Sequence, residues 1–202
     1  MKKILVLLSS LVTLLMILTL SASASTVHTV QKGDSLWKIA VRYEVGISEL
    51  VLANPEISNP DLIYPGQKVT IPSVDSSVTA YEKEVVRLVN QIRQERGLSP
   101  LAYNWELSRV ARYKSQDMKD RGYFSHTSPV YGSPFQMIRS FGISYRSAGE
   151  NIAKGQQTPQ AVVTAWMNSS GHRANILSTS FTEIGVGYVP SGKYWTQMFI
   201  GR

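Results

Sequence analysis

The sequence predicts an α+β protein built in two parts, and three observations carry this. Apolar residues recur at helical spacing through most of the chain, whereas the last stretch, from Thr182 onward, alternates apolar and polar residues. A short segment near the start, Val27 to Pro72, opens and closes on strand-like runs around two helical ones. Between these parts lies Ser73-Val74-Asp75-Ser76-Ser77, a polar stretch of linker type. With 43% hydrophobic and 17% charged residues the chain has the composition of a folded protein, and its 202 residues allow one medium and one small domain.

The N-terminus is set aside first. Lys2 and Lys3 precede an apolar run from Ile4 to Leu20, and Ala22-Ser23-Ala24 follows as a small-residue exit. This is the pattern of a secretory signal peptide over residues 1–24, with an uncleaved membrane anchor as the rival reading. The expected location is therefore outside the cell, with membrane contact only through this leader before cleavage. Cysteine is absent, so the folded part must be held by core burial alone.

In the first part, residues 25–72, His28 to Val30 reads as a strand with His28 on its surface. Gly33-Asp34-Ser35 is a turn, and Asp34 or Ser35 can cap a helix. Leu36, Ile39, Ala40 and Tyr43 follow on one face of that helix, which Gly46 ends. Ser48 can cap a second helix carrying Leu50, Val51 and Ala53, which stops at Asn54-Pro55. Tyr64-Pro65-Gly66-Gln67 turns into a closing strand from Lys68 to Ile71. Trp37 suits stacking on a sugar, but packing on the small core is the preferred reading.

The second part, residues 80–202 after a linker at 73–79, begins with Thr79 and Glu82 spaced as a capping box. Val85, Leu88, Val89 and Ile92 form a stripe that Gly97 stops. Asn104 caps a helix with Leu107, Val110, Ala111 and Met118 facing inward, ending near Gly122. Ser133-Pro134 and Thr158-Pro159 start two more, since proline suits the first helical position. The first runs to Gly142 and the second breaks at Gly171. Thr182 to Val189 and Tyr194 to Gly201 read as two strands joined by Pro190-Ser191-Gly192-Lys193. On the first of these strands Gly185 and Gly187 share a face with Glu183, leaving room for a ligand or for a closely packed helix.

Imidazoles and carboxylates are the groups that bind divalent metals and move protons near neutral pH. The chain has three histidines, and two of them fall in glycine-punctuated contexts, His126 in GYFSHTSP and His172 in SSGHRANIL. Glu150 in SAGENIA and Glu183 in FTEIGVGY sit in comparable settings. All four are expected in loops or at element ends, where sites form on a rigid scaffold. Charge is unevenly placed: residues 80–202 hold fifteen Lys and Arg against eight Asp and Glu. A basic secreted domain is drawn to anionic wall polymers such as teichoic acids, with a merely solvated surface as the alternative. No arginine-rich run or aromatic RNA-binding motif supports nucleic acid as a partner.

Two families resemble these parts. HTVQKGDSLWKIA, LVLANPEI and LIYPGQKVTIP occur in the order found in LysM domains. The resemblance implies binding of N-acetylglucosamine glycans such as peptidoglycan, in a groove between Gly33, Asp34, Ser35 and Leu36 on one side and Ile63, Tyr64, Pro65 and Gly66 on the other. VNQIRQERGLSPL, MKDRGYFSHTSP, AGENIA, AWMNSSGHRANIL, FTEIGVGY and YWTQMF resemble the CAP superfamily of cysteine-rich secretory, antigen 5 and pathogenesis-related proteins. That resemblance implies an α–β–α sandwich with a cleft and a tetrad of two histidines and two glutamates. It also implies a weakly held divalent cation, zinc foremost, on His126 and His172. His126, Glu150 and His172 match three tetrad positions. The fourth departs, because Met167-Asn168-Ser169-Ser170 contains no acid, and Glu183 is the substitute. The expected function is a secreted, wall-associated binding protein, at the cell wall or the spore envelope. A metal-dependent hydrolase of wall polymers or peptides is the alternative, with no G-x-S-x-G elbow to support a serine route.

Overall fold

The computed structural model describes residues 26–202, so the expected signal peptide lies outside the described residues. The small module runs β1 (Thr26–Thr29), α1 (Leu36–Arg42), α2 (Ile47–Leu52) and β2 (Lys68–Ile71). The two strands pair antiparallel, Thr26 opposite Ile71 and Thr29 opposite Lys68. Leu36, Ile39, Ala40 and Leu50 from the helices close over Val69 and Ile71. Ser35 caps α1 by accepting from the Lys38 N–H.

Three expectations for this module change. Gly46 is the cap residue of α2 and does not end α1, which stops at Arg42. His28 is buried, with Nε2 2.8 Å from Asp34 Oδ2 and Nδ1 3.1 Å from the Tyr43 hydroxyl. Trp37 is 65% exposed, because Leu36 and Ile39 already fill the small core and the next position round the helix faces outward.

The larger unit follows as α3 (Ser76–Gln94), β3 (Ala102–Tyr103), α4 (Trp105–Asp120), α5 (Pro134–Ser140), β4 (Ser147–Lys154), α6 (Pro159–Asn168), α7 (Ser170–Leu177), β5 (Glu183–Val189) and β6 (Tyr194–Gly201). Its sheet has the order β3-β5-β6-β4, with only β3 and β5 parallel. One face packs Val85, Leu88, Val162, Trp166 and Ile176 against Ile184, Val186 and Phe199. The other packs Leu107, Val110, Met137 and Ile138 against Met198 and Ile200. The result is an α–β–α sandwich, with α3, α6 and α7 on one side and α4 and α5 on the other. Each of these apolar side chains contributes about 1.5–3 kcal/mol by leaving water.

Here too the structure departs from expectation. Asp75 caps α3 from its start at Ser76, so the connection between the units is shorter than 73–79. Glu82 is therefore no capping residue. It is fully buried, paired with Arg112, and accepts the backbone N–H of Tyr188. Gly185 and Gly187 admit no ligand: a Cβ on either would strike the α4 backbone, at Leu107 and Ser108 or at Ala111 and Arg112. Glu150, expected in a loop, lies on the edge strand β4, which runs over eight positions of the β6 register.

Candidate functional site

The site grows out of this edge strand. Glu150 lies opposite Met198, whose side chain belongs to the α4 and α5 face. The next residue, Asn151, points the other way, toward α7. Its side chain reaches the His172 carbonyl at 3.1 Å and Gln197 at 2.9 Å. Asn175, also on α7, donates to the Glu150 carbonyl at 3.2 Å and to Asn151 Oδ1 at 2.9 Å. Helix α7 and β4 are thus tied through Asn175 of the helix and Asn151 of the strand.

From the opposite layer, the segment after α4 brings His126 to Glu150. Nδ1 of the ring stands 2.7 Å from Glu150 Oε1. The carboxylate is almost wholly buried while the imidazole is half exposed, at 51% of its side chain. An ionised carboxylate only accepts, so Nδ1–H is the donor in this contact. Burial pushes the Glu150 carboxyl up, opposed by the hydrogen bond from His126 and by the Lys114 and His126 charges. Its second oxygen, Oε2, is buried without a hydrogen-bond partner among the described residues. Burial, and then the charge of His126, push the His172 imidazole down from its ordinary value.

His126 and Glu150 are brought together; Glu183 stands apart from them, and His172 meets β4 through its backbone carbonyl, bonded to Asn151. Glu183 Oε2 accepts from Asn104 at 2.6 Å and its Oε1 from Arg202 at 2.7 Å. It sits on β5, with β6 between it and β4, opposite Ile200 and not Met198. The expectation that Glu183 completes the tetrad is corrected on this ground: it holds the start of α4 and the last residue instead. His172 lies within the first turn of α7 and does not follow a broken helix, because Ser169 ends α6 and opens α7 at once.

Sequence reasoning missed Lys114. The side chain is 1% exposed, and its ammonium donates to the Ser125 carbonyl and the His126 carbonyl, each at 2.8 Å, and to the Tyr123 hydroxyl at 3.1 Å. Asp117 binds the same segment through Tyr123 and Ser128, at 2.5 and 2.7 Å. Both residues project from the α4 face that the apolar spacing had assigned to the core. A lysine on such a stripe was the signal available.

In the small module, Gly33, Ser35, Ile63, Tyr64 and Gly66 remain loop residues, and Gly66 joins the two loops through its N–H to the Val30 carbonyl. Asp34, expected to face glycan, spends its carboxylate internally on the Gln31 N–H, His28 and Arg42. Leu36 is buried in the core. Tyr64 and Leu62 are more than half exposed on the second loop.

For a metal, the candidate donors are Nε2 of His126, the nitrogen not bonded to Glu150, and the ring of His172. Among the described residues no group of three or more His, Cys, Asp or Glu side chains is placed to hold an ion. His126, with its ring held by a carboxylate, has the partner common around metal-binding histidines. A closed four-ligand structural site does not fit.

Comparison with known proteins gives the following. The model of the Cysteine-rich secretory protein family, CAP, matches residues 86–199, and that of the LysM domain matches residues 28–72. The chain is 65% identical over 133 residues to the uncharacterized protein YkwD of Bacillus subtilis, covering 66% of this chain and 52% of that protein. It therefore spans about half the length of that relative. It is 55% identical over 47 residues to the spore coat assembly protein ExsA of Bacillus cereus, covering 23% of this chain and 7% of that protein. An extracellular protein containing a SCP domain from Bacillus anthracis has a similar structure, with a TM-score of 0.60 and 34% identity. That match covers 68% of this chain and 47% of the other.

Proposed function

This chain belongs to the Cysteine-rich secretory protein (CAP) family and carries a LysM domain ahead of that fold, and from this premise we propose that it is a secreted, cell-wall-associated binding protein. The LysM module takes N-acetylglucosamine glycan, peptidoglycan first, and the CAP domain presents the His126–Glu150–His172 site. The observation that carries the second half is the 2.7 Å contact between an exposed imidazole and a buried carboxylate. That contact fixes one edge of a ring that is otherwise half exposed and open to a ligand. The basic CAP surface adds attraction to anionic wall polymers.

A divalent cation, zinc foremost, would be held by His126 and His172, with Glu150 orienting the first ring. When bound it would polarise a ligand oxygen or acidify a water. Two protein ligands make such a site weak and exchangeable, which suits reversible binding.

The orphaned Oε2 of Glu150 favours a second reading as a hydrolase, since a buried, partly unpaired carboxylate is suited to accept a proton. One experiment separates the two. The mature protein and its His126→Ala/His172→Ala variant are incubated with purified peptidoglycan and with casein, with and without zinc. Binding without fragment release, and zinc affinity lost in the variant, is the expected result. Fragments released by the wild type alone would overturn it in favour of the hydrolase. Failure of the wild type to sediment with peptidoglycan would remove the glycan half.

A further inference from the structure

The two domains touch through one built contact. Arg109, on α4 of the CAP domain, places Nη2 2.7 Å from Glu49 Oε2 and 2.8 Å from the Ser48 hydroxyl, and its Nε meets Glu49 Oε1. Glu49 and Ser48 are in the first turn of α2, in the LysM module. The Tyr113 hydroxyl, one turn along α4, donates to the same Glu49 at 2.8 Å. The guanidinium also lies over two rings, 5.5 Å from the centre of Tyr113 and 5.0 Å from that of Phe141. Both charged partners are largely buried, with side-chain exposures of 19% and 24%. This is a bidentate, stacked and partly dry arginine–carboxylate pair, unlike a solvated surface ion pair. Gly46, at the cap of α2, lies so close that a Cβ there would overlap Glu49 and the Arg109 guanidinium. The pair lines a cavity of 260 Å³ together with Val45, Pro72, Val74 and Tyr113 and the charged Glu44 and Arg112.

The register of the module says which way it points. The chain leaves toward the CAP domain from the Ile71 end of β2, where Thr26 begins β1. The glycan loops adjoin the other end, where Thr29 pairs with Lys68 and Gly66 bonds to Val30. Gly46 and Glu49 are on the CAP side, and the loops at 33–36 and 63–66 are on the far side.

We propose that the Arg109 face of α4 is a docking surface for the module's α2. The LysM domain is then held as a rigid arm, with its glycan loops turned away from the CAP domain, and is not a free tether. Burial alone would raise the Glu49 carboxyl, but hydrogen bonds from Arg109, Tyr113 and Ser48 outweigh it and keep the group low, as a charged anchor. The consequence is geometric. Glycan capture sets the orientation of the CAP site relative to the wall as well as its distance.

The test uses the full mature chain, labelled with nitrogen-15, with amide relaxation read separately for residues 26–72 and 76–202. The wild type is expected to give one tumbling time for both sets. Glu49→Lys, which sets like charges against Arg109, is expected to shorten the tumbling time of the LysM amides about fourfold, as for a body of their own size. Gly46→Ala opens the pair without touching a charge, and its backbone angles suit alanine, so it should do the same. Unchanged shifts of Leu50 and Val69 report that the module stays folded. Separate tumbling in the wild type, or a single tumbling time in both variants, overturns the docking. Titration with chitotetraose should give the same affinity in all three proteins; weakening in both variants would overturn the separation of clasp and glycan loops. Absence of binding by the wild type would sink the glycan reading alone and leave the docking standing.

Discussion

Replacing Lys114 by methionine tests whether the His126 segment is held from beneath by α4. The ammonium of Lys114 serves the Ser125 and His126 carbonyls and the Tyr123 hydroxyl, all in a nearly solvent-free position. Methionine fills similar space and donates nothing. The tyrosine hydroxyl keeps Asp117, so two carbonyls lose their partner. Each buried, unpaired acceptor costs about 1–3 kcal/mol. Part of this is recovered because no ammonium is buried in the variant. The net loss is about 2–4 kcal/mol, or roughly 5–12 °C in melting temperature for a protein of this size. Scanning calorimetry of the mature chain reads the shift, and ring-nitrogen NMR of His126 reports whether Nδ1 still faces Glu150. A melting temperature within about 2 °C of wild type, with the His126 ring signals unchanged, would refute the reasoning.

Three further outcomes follow from the same structure. Gly187→Ala drives a Cβ into the α4 backbone at Ala111 and Arg112, which cannot move aside as a side chain would. Overpacking of this kind costs about 1–3 kcal/mol or more, and chemical denaturation should register it as a lower midpoint. The Gln31 N–H first, then His28 and Arg42, hold Asp34 at about 2, below the ordinary 3.8. A depressed folded pKa means its stabilisation is complete above 3.8 and lost as pH falls through 2, so the LysM module should loosen in that window. Asp34→Asn should flatten this acid slope in thermal melts, and an equally steep slope in the variant would count against the pairing. Trp37, exposed beside the first glycan loop, should add stacking on a sugar ring worth about 1 kcal/mol. Trp37→Ala is then expected to weaken chitotetraose binding roughly fivefold by calorimetry, and an unchanged affinity would leave Trp37 without a role in the groove.

Much of the fold was legible because local rules agreed with one another. Asn104, Ser133 and Thr158 cap the helices assigned to them, and the β5–β6 hairpin has the turn its proline and glycine specified. Edge strand β4 was not legible. Its sequence, SAGENIAK, shows no alternation, because Glu150 and Asn151 are both buried and both bonded to polar groups from elsewhere. A residue pattern reports burial against apolar neighbours, and here the neighbours are His126, Asn175 and Gln197. The same blindness hid Lys114 and Asp117, polar residues on an apolar stripe, and misplaced Asp34 as a glycan contact.

The sequence by itself determined the two-part α+β plan, the family resemblance of each part, and the candidacy of His126, Glu150 and His172. These rest on spacing, caps and short motifs, which are local properties of the chain. Only the tertiary structure decided which carboxylates stand with the histidines. Glu150 and Glu183 are alike in sequence setting, but β6 lies between their strands, and one meets an imidazole while the other meets Arg202. It also decided that Glu49 and Arg109, 60 residues apart, meet across the domain boundary. Charged groups act over a few ångströms, and that separation is set by packing and not by order along the chain.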